Sequence, residues 1–234
     1  MKADGAVFSF GEDVERLADM AGEAGWPAAP DARGRLVRLA ETISGWNDSV
    51  NLVSRKDIAR LVSYHFCDSA SVLPVLGPQA GPTRDLRVLD VGGSNGLPSL
   101  VLATLAPGMR LTICESRQKR RGFLETVCAE IGQGQVDYEI DRVDGEGFGS
   151  RHSASFDLIV ARAVTRFRLL AKWCLPLLKA GGRLVAYKGS RSLEEVGQAQ
   201  AYWFGHGGSD LAVVASPWAA ACNPLRLFMI GRRG

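Results

Sequence analysis

The apolar run Leu86-Arg87-Val88-Leu89-Asp90-Val91 is halted by Gly92-Gly93, and an apolar helical pattern follows over residues 97–106. A β-rich run that turns through glycines straight into a helix is the opening of a βαβ unit. Pro98 stands in the first turn of that helix, where a missing N–H costs little. The alternation then repeats. Strands are predicted at residues 109–114, 136–140, 156–161 and 182–188, and helices at 118–131, 167–178 and 193–204. Residues 211–215 and 225–230 read as a closing antiparallel pair. Strands alternating with helices predict an α/β fold, a doubly wound, mostly parallel sheet covered on both faces.

The chain before this unit reads differently. Ser9 predicts a helix cap, with Glu12 as its capping-box partner. Val14, Leu17, Ala18 and Ala21 then share one face until Gly25-Trp26-Pro27 ends the segment. After Pro30-Asp31, residues Leu36, Leu39, Ala40, Ile43 and Trp46 recur at helical spacing. A third helix is predicted over 57–73, with Ile58, Leu61, Val62, Phe66 and Ser69 inward. Residues 77–82 are rich in glycine and proline and read as a linker. The expected organisation is a helical region over 1–84 and a sheet domain over 85–234.

Composition bounds the class. At 234 residues, 46% hydrophobic and 23% charged, the chain can bury a full core as a globular protein. No stretch approaches the ~18 uninterrupted apolar residues of a membrane helix, and residues 1–10 lack the apolar core of a secretory signal. The five cysteines are scattered and odd in number, with no Cys-x-x-Cys pair. They predict small core hydrophobes rather than a disulfide framework or a metal site, and a reducing cytoplasm. Charge is uneven: residues 1–84 hold 9 Lys/Arg against 11 Asp/Glu, and residues 85–234 hold 19 against 14. The basic second part permits a polyanionic partner.

In such sheets ligands bind beyond the C-terminal ends of the strands. Asp90-Val91-Gly92-Gly93-Ser94-Asn95-Gly96 lies at the first such end, and Glu115 at the next, where a carboxylate can accept two bonds from a ribose diol. A nicotinamide site wants Gly-x-Gly-x-x-Gly under a pyrophosphate, and a P-loop wants Gly-Lys-Ser/Thr. The first pattern is incomplete here and the second is absent. S-adenosylmethionine has no phosphate and carries a sulfonium cation, so acidic residues at these ends suit it best. The nicotinamide reading, and a plain strand-turn-helix corner, stay open on the residues alone.

Val88-Leu89-Asp90-Val91-Gly92 with Gly96-Leu97-Pro98 resembles the first motif of class I S-adenosylmethionine-dependent methyltransferases, specifically the RsmG (GidB) family. Trp46-Asn47, Asn51-Leu52-Val53-Ser54, His65-Phe66-Cys67-Asp68-Ser69, Lys119-Arg120 with Phe123-Leu124, Arg142-Val143-Asp144, Ala161-Arg162-Ala163 and Tyr187-Lys188-Gly189 resemble further stretches of that family, in order, from about Arg35 to Ile230. The sequence departs from the pattern at Ser94, Asn95, Ser99 and Asp144. The resemblance implies a Rossmann-like fold and methylation of N7 of a guanine in small-subunit ribosomal RNA. It implies S-adenosylmethionine as cofactor, with Asp90, Gly92, Gly96, Leu97, Glu115, Val143, Asp144 and Arg162 at the donor site. A diverged small-molecule methyltransferase and a non-catalytic RNA-binding paralogue are the alternatives.

Arg162, Arg166, Arg168 and Lys172 follow the fourth strand, and Arg117, Lys119, Arg120 and Arg121 the second. Such clusters can meet phosphate oxygens, and Arg166, Arg168 and Lys188 are the expected substrate contacts. His65 and Asp68, one helical turn apart, fit either an acceptor contact or a structural hydrogen bond. His152 and His206 read as loop residues without a partner. No base–nucleophile pair stands out, and N7 of guanine requires no general base, so no catalytic residue is assigned. The expected partner is ribosomal RNA or the small subunit, bound by a monomer without membrane contact or metal.

Overall fold

The computed structural model describes residues 9–77, 85–131 and 134–234. Most of the expected linker, and the expected non-signal N-terminus through residue 8, lie outside them. The described elements begin with α1 (Gly11–Glu23) and α2 (Ala32–Val50). Short helical pieces follow, including α3 (Cys67–Ala70) and α4 (Leu73–Leu76). Then come β1 (Leu86–Val91), α5 (Ser99–Leu105), β2 (Met109–Glu115), α6 (Arg121–Ile131), β3 (Val136–Ile140) and α7 (Glu146–Arg151). The chain closes with β4 (Phe156–Arg162), α8 (Phe167–Cys174), β5 (Leu178–Lys188), α9 (Val196–Gly205), β6 (Gly208–Ala215) and β7 (Leu227–Arg233).

The seven strands form one sheet in the order β3-β2-β1-β4-β5-β7-β6. The first five are parallel, and β7 runs antiparallel to both β5 and β6. Strand order reverses between β1 and β4, which opens a crevice at their C-terminal ends. Alternate residues serve opposite faces. Val88, Leu158 and Val160 join the core beneath α1, α2, α5 and α6, whereas Leu89, Ile159 and Ala161 join the core beneath α8 and α9.

Several boundaries differ from the sequence reading. Helix α1 starts at Gly11 with Phe10 at its cap and no side-chain cap bond, so the Ser9–Glu12 box does not form. Phe10 is buried, and its burial sets where the helix begins. The predicted third helix is a succession of pitches: 3₁₀ over Arg55–Arg60, π over Leu61–Phe66, then α3. The expected inward residues Ile58, Leu61, Val62, Phe66 and Ser69 are all buried, and Cys67, Asp68, Ala70, Ser71, Val72 and Leu73 are buried with them, because the last part of the stretch is enclosed on all sides. Helix α8 stops at Cys174, and Leu178 already pairs with Phe156 in the sheet. Helix α7 was not foreseen. It buries only Phe148, too little to make a periodic signal.

The cysteine reading needs correcting. Cys67 and Cys222 are bonded, with Cα atoms 5.6 Å apart across 155 residues of sequence. Spacing along the chain carries no information about which remote segments meet. Cys114, Cys128 and Cys174 are buried free thiols, as core hydrophobes should be.

Trp203 on α9 locks the β6–β7 ribbon to the sheet. It is fully buried, and its indole Nε1 donates to the carbonyl of Arg232 at 3.2 Å. A Cβ placed on Gly231 would lie 2.4 Å from the indole ring. Glycine is therefore needed there for the ring's close approach. Trp203→Ala should cost about 3–5 kcal/mol of stability through the cavity it leaves. Gly231→Ala should cost about 1–3 kcal/mol through overpacking. Urea unfolding of the two variants checks both.

Candidate active site

The turn after β1 is shaped by its glycines and by the carboxylate beneath it. Gly92 has φ +74° and Gly96 φ +71°, a conformation side chains disfavour. A Cβ on Gly93 would come within 2.3 Å of the Asp90 carboxylate. Asp90 is fully buried. Its Oδ2 accepts a hydrogen bond from the Ser99 hydroxyl, while Oδ1 has no protein partner among the described residues. Burial pushes its pKa up to about 6 despite the Ser99 bond and the Arg162 charge. Ser99, one of the departures from the family pattern, thus holds Asp90. Asn95, another, donates to the carbonyl of Leu52 at 3.3 Å and accepts from the Leu97 N–H at 3.2 Å. The glycine turn is in this way tied to the segment after α2.

That segment has its own lock. Asn51 caps α2 in the left-handed conformation, and the Asn47 side chain accepts from the Val53 N–H at 2.8 Å. The guanidinium of Arg120 donates to the carbonyls of Val50 and Asn51. Arg120 is buried and structural, so the cationic cluster after β2 is not uniformly a solvated face.

Glu115 closes β2. Its Oε1 accepts from the backbone N–H and the guanidinium of Arg117, at 2.7 and 3.1 Å. Its Oε2 is buried with no partner among the described residues. A cavity of about 180 Å³ opens over the ends of β1, β2 and β3, and neither Glu115 nor Asp90, Gly96 or Leu97 is among the residues that line it. Gly92, Val143 and Asp144 line it together with Cys114, Val164 and Trp173. Asp144 is held by a two-point ion pair with Arg142, at 3.0 and 2.8 Å. Trp173, reaching over from α8, had no local signal in the sequence.

Val164 also walls a second cavity, of about 380 Å³, over the ends of β4 and β5. Thr165, Tyr187, Lys188, Ser192 and Arg226 line it. It follows a tight turn in which Ala163 takes φ +57°, strained for a residue with a side chain. The Lys188 ammonium is buried, bonding the carbonyl of Thr165 and the carboxylate of Glu195, each at 2.9 Å. The Tyr187 hydroxyl donates to the carbonyl of Ser69 at 2.6 Å.

Arg162 is engaged elsewhere. Its guanidinium donates to Asp68 Oδ2 at 3.1 Å and to the carbonyl of His65 at 3.4 Å. Asp68, itself buried, also receives Arg226 at 2.7 and 2.9 Å and Asn223 at 3.4 Å. His65 stands 3.6 Å from Asp57. Burial, reinforced by the Arg162 charge, holds its imidazole below the ordinary value. The His65–Asp68 turn is therefore a structural clasp. His152 is not unpartnered: it bonds Glu139 at 2.6 Å and packs between Phe148 and Phe156.

Comparison with known proteins decides the family. Residues 33–219 match the family model described as rRNA small subunit methyltransferase G. The chain belongs to that family. A Symbiobacterium thermophilum protein named ribosomal RNA small subunit methyltransferase G is 38% identical over 76% of this chain and 72% of its own length. A protein of the same name from a Geobacillus species is 34% identical over 80% of this chain and 76% of its own. Among solved structures, an S-adenosylmethionine-dependent methyltransferase from Aquifex aeolicus superposes with a TM-score of 0.54 over 83% of this chain and 98% of its own, at 14% identity. That likeness bears on the fold alone. Among the described residues no helix is long and apolar enough to cross a membrane, and no cluster of His, Cys, Asp or Glu could hold a metal ion.

Two outcomes follow from this geometry. Asp68→Ala should cost about 3–5 kcal/mol, because it leaves the Arg162 and Arg226 charges buried without their partner. Denaturant titration measures it. Asp90 binds its proton more tightly folded, at about 6, than at the ordinary 3.8. Its contribution is therefore intact below pH 4 and is lost as pH rises to about 6. Comparing Asp90→Asn with the parent at pH 4 and pH 7, the difference in stability should shift towards the variant by about 2 kcal/mol. A pH-independent difference would contradict the burial argument.

Proposed function

We propose that this protein transfers a methyl group from S-adenosylmethionine to N7 of a guanine in small-subunit ribosomal RNA. The observation that carries the reading is the pair of cavities meeting at Val164, one beside acidic strand ends and one beside cationic loops. Membership of the family supports the same substrate.

The first cavity suits the donor. The Oε2 of Glu115 can accept a ribose hydroxyl, which would satisfy a buried oxygen that has no partner among the described residues. Asp90 and the glycine turn would lie under the donor's amino-acid end, and Val143 and Asp144 would flank its base. Bound there, S-adenosylmethionine supplies an electrophilic methyl group.

The second cavity suits a base that needs no deprotonation. None of its described lining residues carries a carboxylate or imidazole, and the Tyr187 phenol is committed to Ser69 with its pKa raised by burial. N7 of guanine has a free lone pair and loses no proton before attack. What the chain contributes is position, worth up to ~7–11 kcal/mol where reacting atoms are held in line. Lys188 acts here by fixing the Thr165 carbonyl and Glu195. Arg162 acts through Asp68, by holding the loop after β4. Arg166 and Arg168 are exposed at the start of α8, where phosphates would arrive.

The test is direct. Small-subunit RNA from cells lacking the gene is incubated with the protein and labelled S-adenosylmethionine, digested, and its nucleosides weighed by mass spectrometry. Label in 7-methylguanosine is the expected result. Label in another nucleoside, or none, overturns the acceptor. In calorimetry, Glu115→Gln should weaken S-adenosylhomocysteine binding by roughly 1–3 kcal/mol.

A further inference from the structure

The acceptor cavity continues beyond its own rim. Thr165 belongs equally to a neighbouring cavity of about 360 Å³ between α8 and α9, where Arg166, Arg168, Lys172 and Tyr202 converge. Neither Arg166 nor Lys172 has a side-chain hydrogen bond or ion pair among the described residues, and both are exposed. The one carboxylate in the lining, Glu195, is already spent: it accepts from the Phe167 N–H at 2.8 Å and from Lys188 at 2.9 Å. The cavity therefore presents positive charge with no internal counter-charge to cancel it.

It also presents a flat aromatic surface. The Tyr202 ring is backed by His206, stacked at 3.9 Å and within 11° of parallel. The Arg168 guanidinium stands 5.7 Å over the Tyr202 ring, a loose contact from an exposed side chain. Leu169 is 40% exposed at the same rim. A supported aromatic ring beside long cations is the arrangement that holds single-stranded nucleic acid, base on ring and phosphate on cation. An inorganic anion would use the cations and leave the ring idle.

We propose that this cavity is a subsite for a nucleotide adjacent to the methylated guanine. Its base stacks on Tyr202, with Arg168 closing over it, and its phosphates meet Arg166 and Lys172. The inference rests on the RNA reading above and adds to it a second point of grip. Thr165 joins the two cavities, so a strand that delivers its guanine to one carries its neighbour towards the other. Binding of a single-stranded or unpaired segment, rather than a duplex, follows from the need to expose both bases.

The experiment is steady-state methylation of a short single-stranded fragment of small-subunit RNA, with S-adenosylhomocysteine affinity measured alongside by calorimetry. Tyr202→Ala should raise KM for the RNA about tenfold, as loss of one base–aromatic stack predicts. Its kcat and its S-adenosylhomocysteine affinity should change little, and Tyr202→Phe should restore KM to within about twofold of the parent. Replacing Arg166 and Lys172 together with Ala should flatten the dependence of log KM on log salt by roughly one to two phosphate contacts. These two residues are exposed, so that arm decides the matter if Tyr202→Ala proves unstable. If the parent methylates the fragment while KM and salt slope stay unchanged in the variants, the subsite is wrong and the RNA reading stands. If the parent methylates no RNA, the reading fails and the subsite falls with it.

Discussion

Asp68 is where three remote stretches of this chain are fastened together. Its carboxylate is buried and accepts from Arg162 at the end of β4 and from Arg226 and Asn223 ahead of β7. Arg226 then reaches the carbonyl of Lys188 at the end of β5, and the Cys67–Cys222 bond lies one residue away on each side. A buried carboxylate with so many charged donors is costly to desolvate and costlier to disturb, because losing it strands the guanidinium charges. The loop after β4 can take its strained turn at Ala163 because the residue before it is pinned. The position of Val164 and Thr165, and so of the three cavities they wall, depends on this one group.

The glycine turn after β1 rests on a second, quieter fastening. The segment after α2 bonds itself through Asn47 and Asn51, accepts Arg120 from beyond β2, and offers the Leu52 carbonyl to Asn95 in the glycine turn. The N-terminal helices therefore share a core with the sheet and also tie down the glycine turn after β1. Ser99 and Asn95 depart from the family's usual residues, yet each makes a bond that stiffens that turn.

The strand–helix alternation was legible because periods of two and 3.6 residues are written directly in the order of apolar side chains. The same reasoning placed Ile58, Leu61, Val62, Phe66 and Ser69 of the 57–73 stretch inward, and all five are buried, but it missed the pitch and the burial of Cys67, Asp68, Ala70, Ser71, Val72 and Leu73. Gly92, Val143 and Asp144 were foreseen through resemblance, and they do converge on one cavity. Arg162 and Lys188 were foreseen as ligand contacts, and their partners, Asp68 and Glu195, are what the sequence could not supply. Trp173 and the Cys67–Cys222 pair were invisible for the same reason. Each depends on which distant segments the fold brings together, and no local pattern encodes that.

Val164 gives the site a division of labour. On one side of it lie residues carried by β1, β2 and β3, on the other residues carried by β4, β5 and the stretch before β7. Val164 is common to both linings, so a change in the bulk of this one side chain reshapes the two cavities together.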